Sequence, residues 1–205
     1  MGNSIQVIEK PDWISWDDIH NVLWTAHEKN RENGLLMRSP SISGDEIRKR
    51  IEGKGKMFCA IDNGKVVATS AIVKRRFRMW YDKERSDYAY FCLASVLPEY
   101  AGKGIYKQFY LRREAVCKEM GLDRILFDTH EKNTRVIKIN RKNGYVPVDY
   151  KFYRDHFNIV MVKWLAGCPF SSARCKFEFY KRKIAKIAKQ TKKAIQKTKS
   201  LENKD

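Results

Sequence analysis

The stretch Ala94-Ser95-Val96-Leu97-Pro98-Glu99-Tyr100-Ala101-Gly102-Lys103-Gly104-Ile105-Tyr106 constrains this chain more than any other. It reads as a strand, a short Pro-Glu-Tyr turn, a loop punctuated by two glycines, and a helix that begins near Lys103. Gly102 and Gly104 can take backbone angles closed to other residues. Amides that open a helix aim several N–H donors, together with the positive helix end, at one point. Such a segment is an anion cradle, and phosphate is the guest it suits. Further on, Asn133-Thr134-Arg135-Val136-Ile137-Lys138-Ile139-Asn140-Arg141-Lys142-Asn143-Gly144-Tyr145 reads as a short helix closed by Gly144.

The loop is not a P-loop, because no Gly-Lys-Ser/Thr follows, and it lacks the third glycine of the dinucleotide fingerprint. It resembles the pyrophosphate-binding loop of the GNAT superfamily of acyl-CoA-dependent N-acyltransferases. That family's pattern is Gln/Arg-x-x-Gly-x-Gly/Ala after a Val-x-Pro-x-Tyr turn, here Val96-Leu97-Pro98-Glu99-Tyr100. The second stretch is similar to the family's later Asn…Gly-aromatic segment, and the resemblance spans residues 57–165. Two positions depart from the pattern: Ala101 stands at the Gln/Arg position, and Tyr106 at the closing Gly/Ala.

At 205 residues and 43% apolar content, the chain is long enough for one domain with a real core. No apolar run reaches the ~18 residues of a membrane span, and Met1 to Lys10 has no secretory apolar region. Cys59, Cys92, Cys117, Cys168 and Cys175 are odd in number and form no Cys-x-x-Cys pair, which predicts reduced thiols in a cytoplasm. The four histidines are scattered without ligand spacing, so no metal site is expected.

Ser15 with Asp18 starts a helix through Ile19, Val22, Leu23 and Ala26 that stops at Asn33-Gly34. Ser43 and Glu46 form a capping box for a second helix through Ile47 and Ile51. Asn63-Gly64 joins the β-rich runs Met57–Asp62 and Lys65–Val73 as a hairpin. A charged aromatic excursion over 74–87 precedes a strand over Tyr88–Leu97. After the glycine loop, a helix runs to Met120-Gly121. Arg124–His130 is a strand, Asn133–Lys142 a helix, and Val146–Tyr153 with Phe157–Leu165 a final antiparallel pair. Propensity gives an α/β (α+β) chain. The GNAT resemblance implies the order ααβββαβαββ and a mixed, mainly antiparallel central sheet with splayed central strands flanked by helices.

In the resembled family, acyl-CoA lies where two parallel central strands splay apart. The resemblance therefore sets Ala94, Ser95 and Val96 along the pantetheine, with a backbone N–H near Val96 polarising the thioester carbonyl. It sets the pyrophosphate on the amides of Gly102, Lys103, Gly104, Ile105, Tyr106 and Lys107. The ammonium groups of Lys103 and Lys107 either add charge there or are simply solvated. Asn133 matches the family's cofactor-contacting asparagine. Asn140 stands where many members carry a tyrosine acid; its amide can hydrogen-bond a thiolate but has no proton to give.

For the base, Asp128 occupies the position where some members that acetylate peptide N-termini carry glutamate. His130, on the same strand face, is the rival because imidazole titrates near neutrality, and Glu131 is a third candidate. The alternative for Asp128 and His130 is an ordinary surface carboxylate and imidazole. By resemblance, the acceptor pocket maps to Leu35–Ser43 and Tyr150–Phe157. These segments bring Met37, Arg38, Tyr150, Phe152, Tyr153, Arg154 and His156. Such a lining suits a flat or anionic acceptor; equally, the aromatics pack the end of the sheet.

Of the net charge of +18, half lies in residues 171–205, where 12 Lys/Arg face only Glu178, Glu202 and Asp205. Residues 168–205 therefore read as a basic tail after a GNAT-like domain over 1–167. Phe177, Tyr180, Ile184, Ile187, Thr191, Ala194 and Thr198 recur at 3-4 spacing, which predicts an amphipathic helix docking through Phe177–Ile187. An anionic membrane surface is the alternative partner, giving a cytoplasmic protein peripheral to the membrane. Nucleic acid is disfavoured, because the aromatics sit on the apolar stripe and no reading motif accompanies them.

The leading expectation is an N-acetyltransferase moving acetyl from acetyl-CoA directly to a primary amine on an amino sugar, a small molecule or a peptide. The rival is a catalytically idle GNAT-like module that binds a polyanion, membrane or protein partner through its tail. The oligomeric state is unconstrained.

Overall fold

Two capping boxes set the first helices. Ser15 accepts from the Asp18 amide while the Asp18 carboxylate takes the Ser15 amide, opening α1 (Trp16–Ala26). Ser43 and Glu46 do the same for α3 (Gly44–Ile51). Between them lies the short α2 (Glu28–Glu32). The computed structural model describes residues 5–35, 39–153 and 156–202. They fall in two units, Met1–Phe77 with Ser86–Phe127, and Arg78–Arg85 with Asp128–Asp205.

In the first unit, strands β1 (Gln6–Glu9), β2 (Gly55–Asp62), β3 (Lys65–Phe77), β4 (Ser86–Val96) and β5 (Arg124–His130, shared with the second unit) lie side by side in chain order. The first three ladders are antiparallel, and β4 runs parallel to β5. The β2–β3 turn uses left-handed Asn63 (φ 47°) and Gly64 (φ 75°), the two positive φ values of the tightest hairpin turn. Ile19 and Leu23 of α1 and Ile47 and Ile51 of α3 pack on Met57, Cys59, Ala71, Val73 and Leu93. Helix α4 (Ile105–Glu119) buries Ile105, Phe109, Tyr110, Arg113, Val116 and Cys117.

The second unit holds α5 (Thr134–Lys142), the antiparallel pair β6 (Val146–Tyr153) and β7 (His156–Trp164), with β7 beside β5, and α6 (Ser172–Glu202). Of the excursion expected over 74–87, Arg78–Arg85 belongs here and the rest extends β3 and β4; the Trp80 ring lies tilted against Phe170 at 4.9 Å and Tyr81 against Trp164 at 5.3 Å. Helix α6 packs along β6. It docks through Cys175 and Phe179, whereas Phe177, Tyr180, Ile184 and Ile187, the stripe expected to dock, are exposed. The mainly antiparallel seven-stranded sheet, flanking helices and C-terminal helix agree with the sequence reading. Strand β1, which the sequence reading lacked, adds an edge to β2.

Candidate active site

The parallel ladder between β4 and β5 ends at Tyr90↔Leu126, while β4 runs on to Val96. Toward β5, the backbone of Ala94, Ser95 and Val96 thus lies beyond the last paired position, where an extended ligand can meet it, while Ser95 and Val96 stay paired with Thr69 and Ala68 of β3 on the other side. A tight Pro98–Tyr100 turn follows, held by the Tyr100 hydroxyl donating to Asp62 Oδ2 at 2.8 Å. Gly102 (φ 84°) and Gly104 (φ 76°) are both left-handed, and a Cβ on either would meet no atom within 4 Å. Their requirement is therefore conformational, and the space above them is open.

Gly104 caps α4 with no side-chain hydrogen bond, and the next residues, Ile105, Tyr106 and Lys107, form the first turn of the helix. This helix N-terminus presents backbone amides to an anion, with one correction to the expected cradle: the Lys107 amide is already taken, donating to the Gly104 carbonyl at 3.0 Å. Lys107 is exposed on the same turn. Lys103 lies with its ammonium 4.3 Å over the Tyr100 ring. The Tyr106 ring lies along α4, 6.0 Å from Tyr110.

Halfway along the exit of β4, Leu93 adopts φ 52°, and β4 gains one residue against β3 between Thr69 and Ala71. The buried Thr69 hydroxyl holds this bulge by donating to the Leu93 carbonyl at 2.9 Å. A bulge reverses which side of the sheet successive side chains face. Phe91, before it, meets the Arg113 guanidinium of α4 at 3.8 Å, and Leu93, after it, joins the α1 core. Ser95 consequently faces α1, where its Oγ lies 3.0 Å from His27 Nε2.

His27 links α1 to α2, and its Nδ1 is 2.8 Å from Asn30 Nδ2. An amide nitrogen only donates, so Nδ1 accepts and the imidazole proton sits on Nε2, donating to Ser95. Burial first, and then the Arg31 charge, lowers the His27 pKa from 6.5 to about 4. The ring is neutral near pH 7, and the Ser95 oxygen, already accepting, keeps its own O–H to donate elsewhere. Sequence reasoning set His27 aside as one of four scattered histidines. The available signal was the His27-x-x-Asn30 spacing at a helix end.

Beside β4, Arg113 is fully buried with Nε donating to the Phe109 carbonyl and its guanidinium 4.6 Å from the Tyr110 ring. Its two terminal nitrogens have no hydrogen-bond partner, so aromatic faces carry that charge. A groove of about 470 Å³ opens along α1, with Trp13, Asn21, Thr25 and Leu97 in its wall.

The remaining candidates belong to the second unit. Asp128 accepts from the Asn158 amide at 2.6 Å. His130 is buried, stacks on His156 at 4.5 Å, and takes the Lys132 amide on Nδ1 at 3.0 Å. Tyr153 approaches His156 at 5.8 Å. Asn133 caps α5 by accepting from the Val136 amide and donates to Thr129 at 3.3 Å. Asn140 is fully buried, with its amide on the Val136 carbonyl at 2.9 Å.

Tyr150 is buried between Phe157 and Phe179, with its hydroxyl on Glu131 and Lys183 4.8 Å over its ring. Burial first, then the Glu131 hydrogen bond and charge, push that phenol's pKa up. Met37, Arg38 and Arg154 lie outside the described residues. Among the described residues, no group of three or more His, Cys, Asp or Glu is placed to hold a metal.

Comparison with known proteins matches residues 16–145 to the model of the acetyltransferase (GNAT) family. No curated protein matches the chain. Among solved structures, a GNAT-family acetyltransferase from Staphylococcus aureus Mu50 superposes with a TM-score of 0.62 at 18% identity, covering 79% of this chain and 99% of that one. The ribosomal-protein-S18-alanine N-acetyltransferase from Escherichia coli gives 0.59 at 11% identity, over 82% and 98%. A GNAT-family acetyltransferase from Elizabethkingia anophelis with acetyl-CoA bound gives 0.55 at 12%, over 80% and 99%. These likenesses are of fold.

Proposed function

Because this chain belongs to the acetyltransferase (GNAT) family, we propose that it is an acetyl-CoA-dependent N-acetyltransferase acting by direct transfer to a primary amine. The observation that carries this reading is the left-handed Gly102–Gly104 entry into α4, placed directly after a strand whose parallel ladder stops short. Bound acetyl-CoA supplies the acetyl carbon and a thiolate leaving group. The amide near Val96 donates to the carbonyl oxygen as charge builds there. The amides that open α4 ahead of Lys107 hold the pyrophosphate, with the Lys107 ammonium adding charge.

In the transfer, the amine nitrogen bonds to the acetyl carbon, the C–S bond breaks, and one proton leaves nitrogen while one reaches sulfur. Asp128, at the position where some members that acetylate peptide N-termini carry glutamate, takes the proton from nitrogen, directly or through water. His130 is the alternative, although its Nδ1 is already committed to the Lys132 amide. At the sulfur we assign Ser95 a hydrogen bond and not a proton transfer: His27 occupies its oxygen, which leaves its O–H to stabilise the departing thiolate, and that thiolate takes its proton from water. Asn140, locked inside α5, does not fill that role. The acceptor is an amino sugar, a small amine or a peptide N-terminus. All five cysteines are free thiols, which suits a reducing cytoplasm.

The test is release of the CoA thiol from acetyl-CoA with a panel drawn from those three amine classes. Amine-dependent release supports the proposal. A protein that binds acetyl-CoA yet acetylates none of them is a GNAT-like binding module.

A further inference from the structure

Helix α6 is amphipathic twice over. Its docked line, Cys175 and Phe179, leads on to Lys186, which reaches Asp149 at 2.8 Å. At ~100° per residue, the stripe Phe177–Tyr180–Ile184–Thr191–Ile195 lies about 160° around the helix from that line. It faces outward: Phe177 is 65% exposed, Ile184 68% and Ile195 51%. Among the described residues of the second unit none buries these side chains, and a solvated helix has no reason to carry isoleucines there.

The charges beside the stripe select its partner. Lys181 and Lys192 border it on one side and Lys176 on the other, all exposed. No acidic residue lies between them on the stripe. A second copy of the chain would bring these like charges face to face. Nucleic acid would prefer the cations at the centre rather than the isoleucines. An anionic lipid surface takes both parts, with apolar side chains below the headgroups and ammonium groups among the phosphates. No described helix is long and apolar enough to cross a membrane, so α6 would lie along the interface.

We propose that the outward face of α6, from Phe177 to Ile195, is a docking surface for anionic lipid bilayers, holding the protein at a membrane through a helix whose opposite face stays on β6. This stands independently of the acetyltransferase reading.

The test is co-sedimentation of the full chain with vesicles of phosphatidylcholine alone and of phosphatidylcholine with about 30 mol % phosphatidylglycerol. The expected result is binding to the anionic vesicles only, weakened by added salt. Ile184→Asp should reduce it about tenfold or more with unchanged thermal stability, because the residue touches no core. Lys181→Glu combined with Lys192→Glu should reduce it likewise. Three outcomes would each overturn the proposal. One is no binding to anionic vesicles at low salt. Another is vesicle binding untouched by Ile184→Asp. The last is a dimer by light scattering that Ile184→Asp converts to monomer, which would make the stripe a self-association face.

Discussion

His27 Nε2 lies 3.0 Å from Ser95 Oγ, tying the end of the first helix to the strand that leads into the glycine loop. The contact exists because the Leu93 bulge turns Ser95 toward α1. A residue two positions after Phe91 in a regular strand would share its α4-facing side instead of crossing to the other.

If the Ser95 hydroxyl serves the leaving thiolate, Ser95→Ala should lower kcat about 10²-fold while leaving acetyl-CoA affinity within a factor of about two. His27 acts through Ser95, so His27→Ala should cost less, about tenfold. His27→Gln, which keeps a donor in the same place, should recover most of the rate. Steady-state kinetics decide this, and a full-rate Ser95→Ala protein would reduce the contact to a structural tie.

The His27 environment also predicts acid sensitivity. Its pKa falls from 6.5 to about 4 on folding, so the unfolded chain takes up the proton first as pH drops. The contribution to stability is fully present above pH 6.5 and is lost as pH falls toward 4. Denaturant midpoints measured across that window should fall for the native chain and fall less steeply for His27→Gln. Equal slopes would mean that the imidazole is not held neutral by the fold.

Asp128→Asn should reduce kcat/KM by about 10²–10⁴-fold without weakening CoA binding, since the carboxylate is assigned to the amine and not to the cofactor. A variant retaining full activity would pass the role to His130 or to water.

Packing of the last helix separates the two faces of α6. Phe179→Ala should cost about 3–5 kcal/mol, because the ring is 5% exposed and meets Tyr150 edge-on at 6.1 Å. Ile184→Ala should change stability by no more than about 0.5 kcal/mol. Differential scanning calorimetry of both variants checks the assignment, and the opposite ranking would mean that the Phe177–Ile187 stripe is the docked one.

The elements legible in the sequence were those with local chemical signatures. The Ser15/Asp18 and Ser43/Glu46 boxes, the Asn63-Gly64 turn and the Gly102–Gly104 helix entry each need particular residues at particular offsets, and each stands where it was expected. The orientation of α6 was not legible: a 3-4 stripe shows that a helix has two faces but not which one packs. Here two residues, Cys175 and Phe179, outweigh five exposed ones because β6 meets them. The His27–Ser95 contact was hidden for a related reason. It joins residues far apart in the chain, and it depends on a bulge at Leu93, a leucine that nothing in the sequence marks for positive φ.

Whether acetyl-CoA sits on the glycine loop is decided by isothermal titration of acetyl-CoA into the native chain and into Gly104→Val. Gly104 holds φ 76° at the cap of α4, a conformation that costs a β-branched residue about 1–2 kcal/mol or more and shifts the amides that follow. Acetyl-CoA should bind measurably to the native chain and at least about tenfold more weakly to a folded Gly104→Val variant. Equal affinity in the two proteins, with circular dichroism showing both folded, would contradict the placement of the cofactor on this loop.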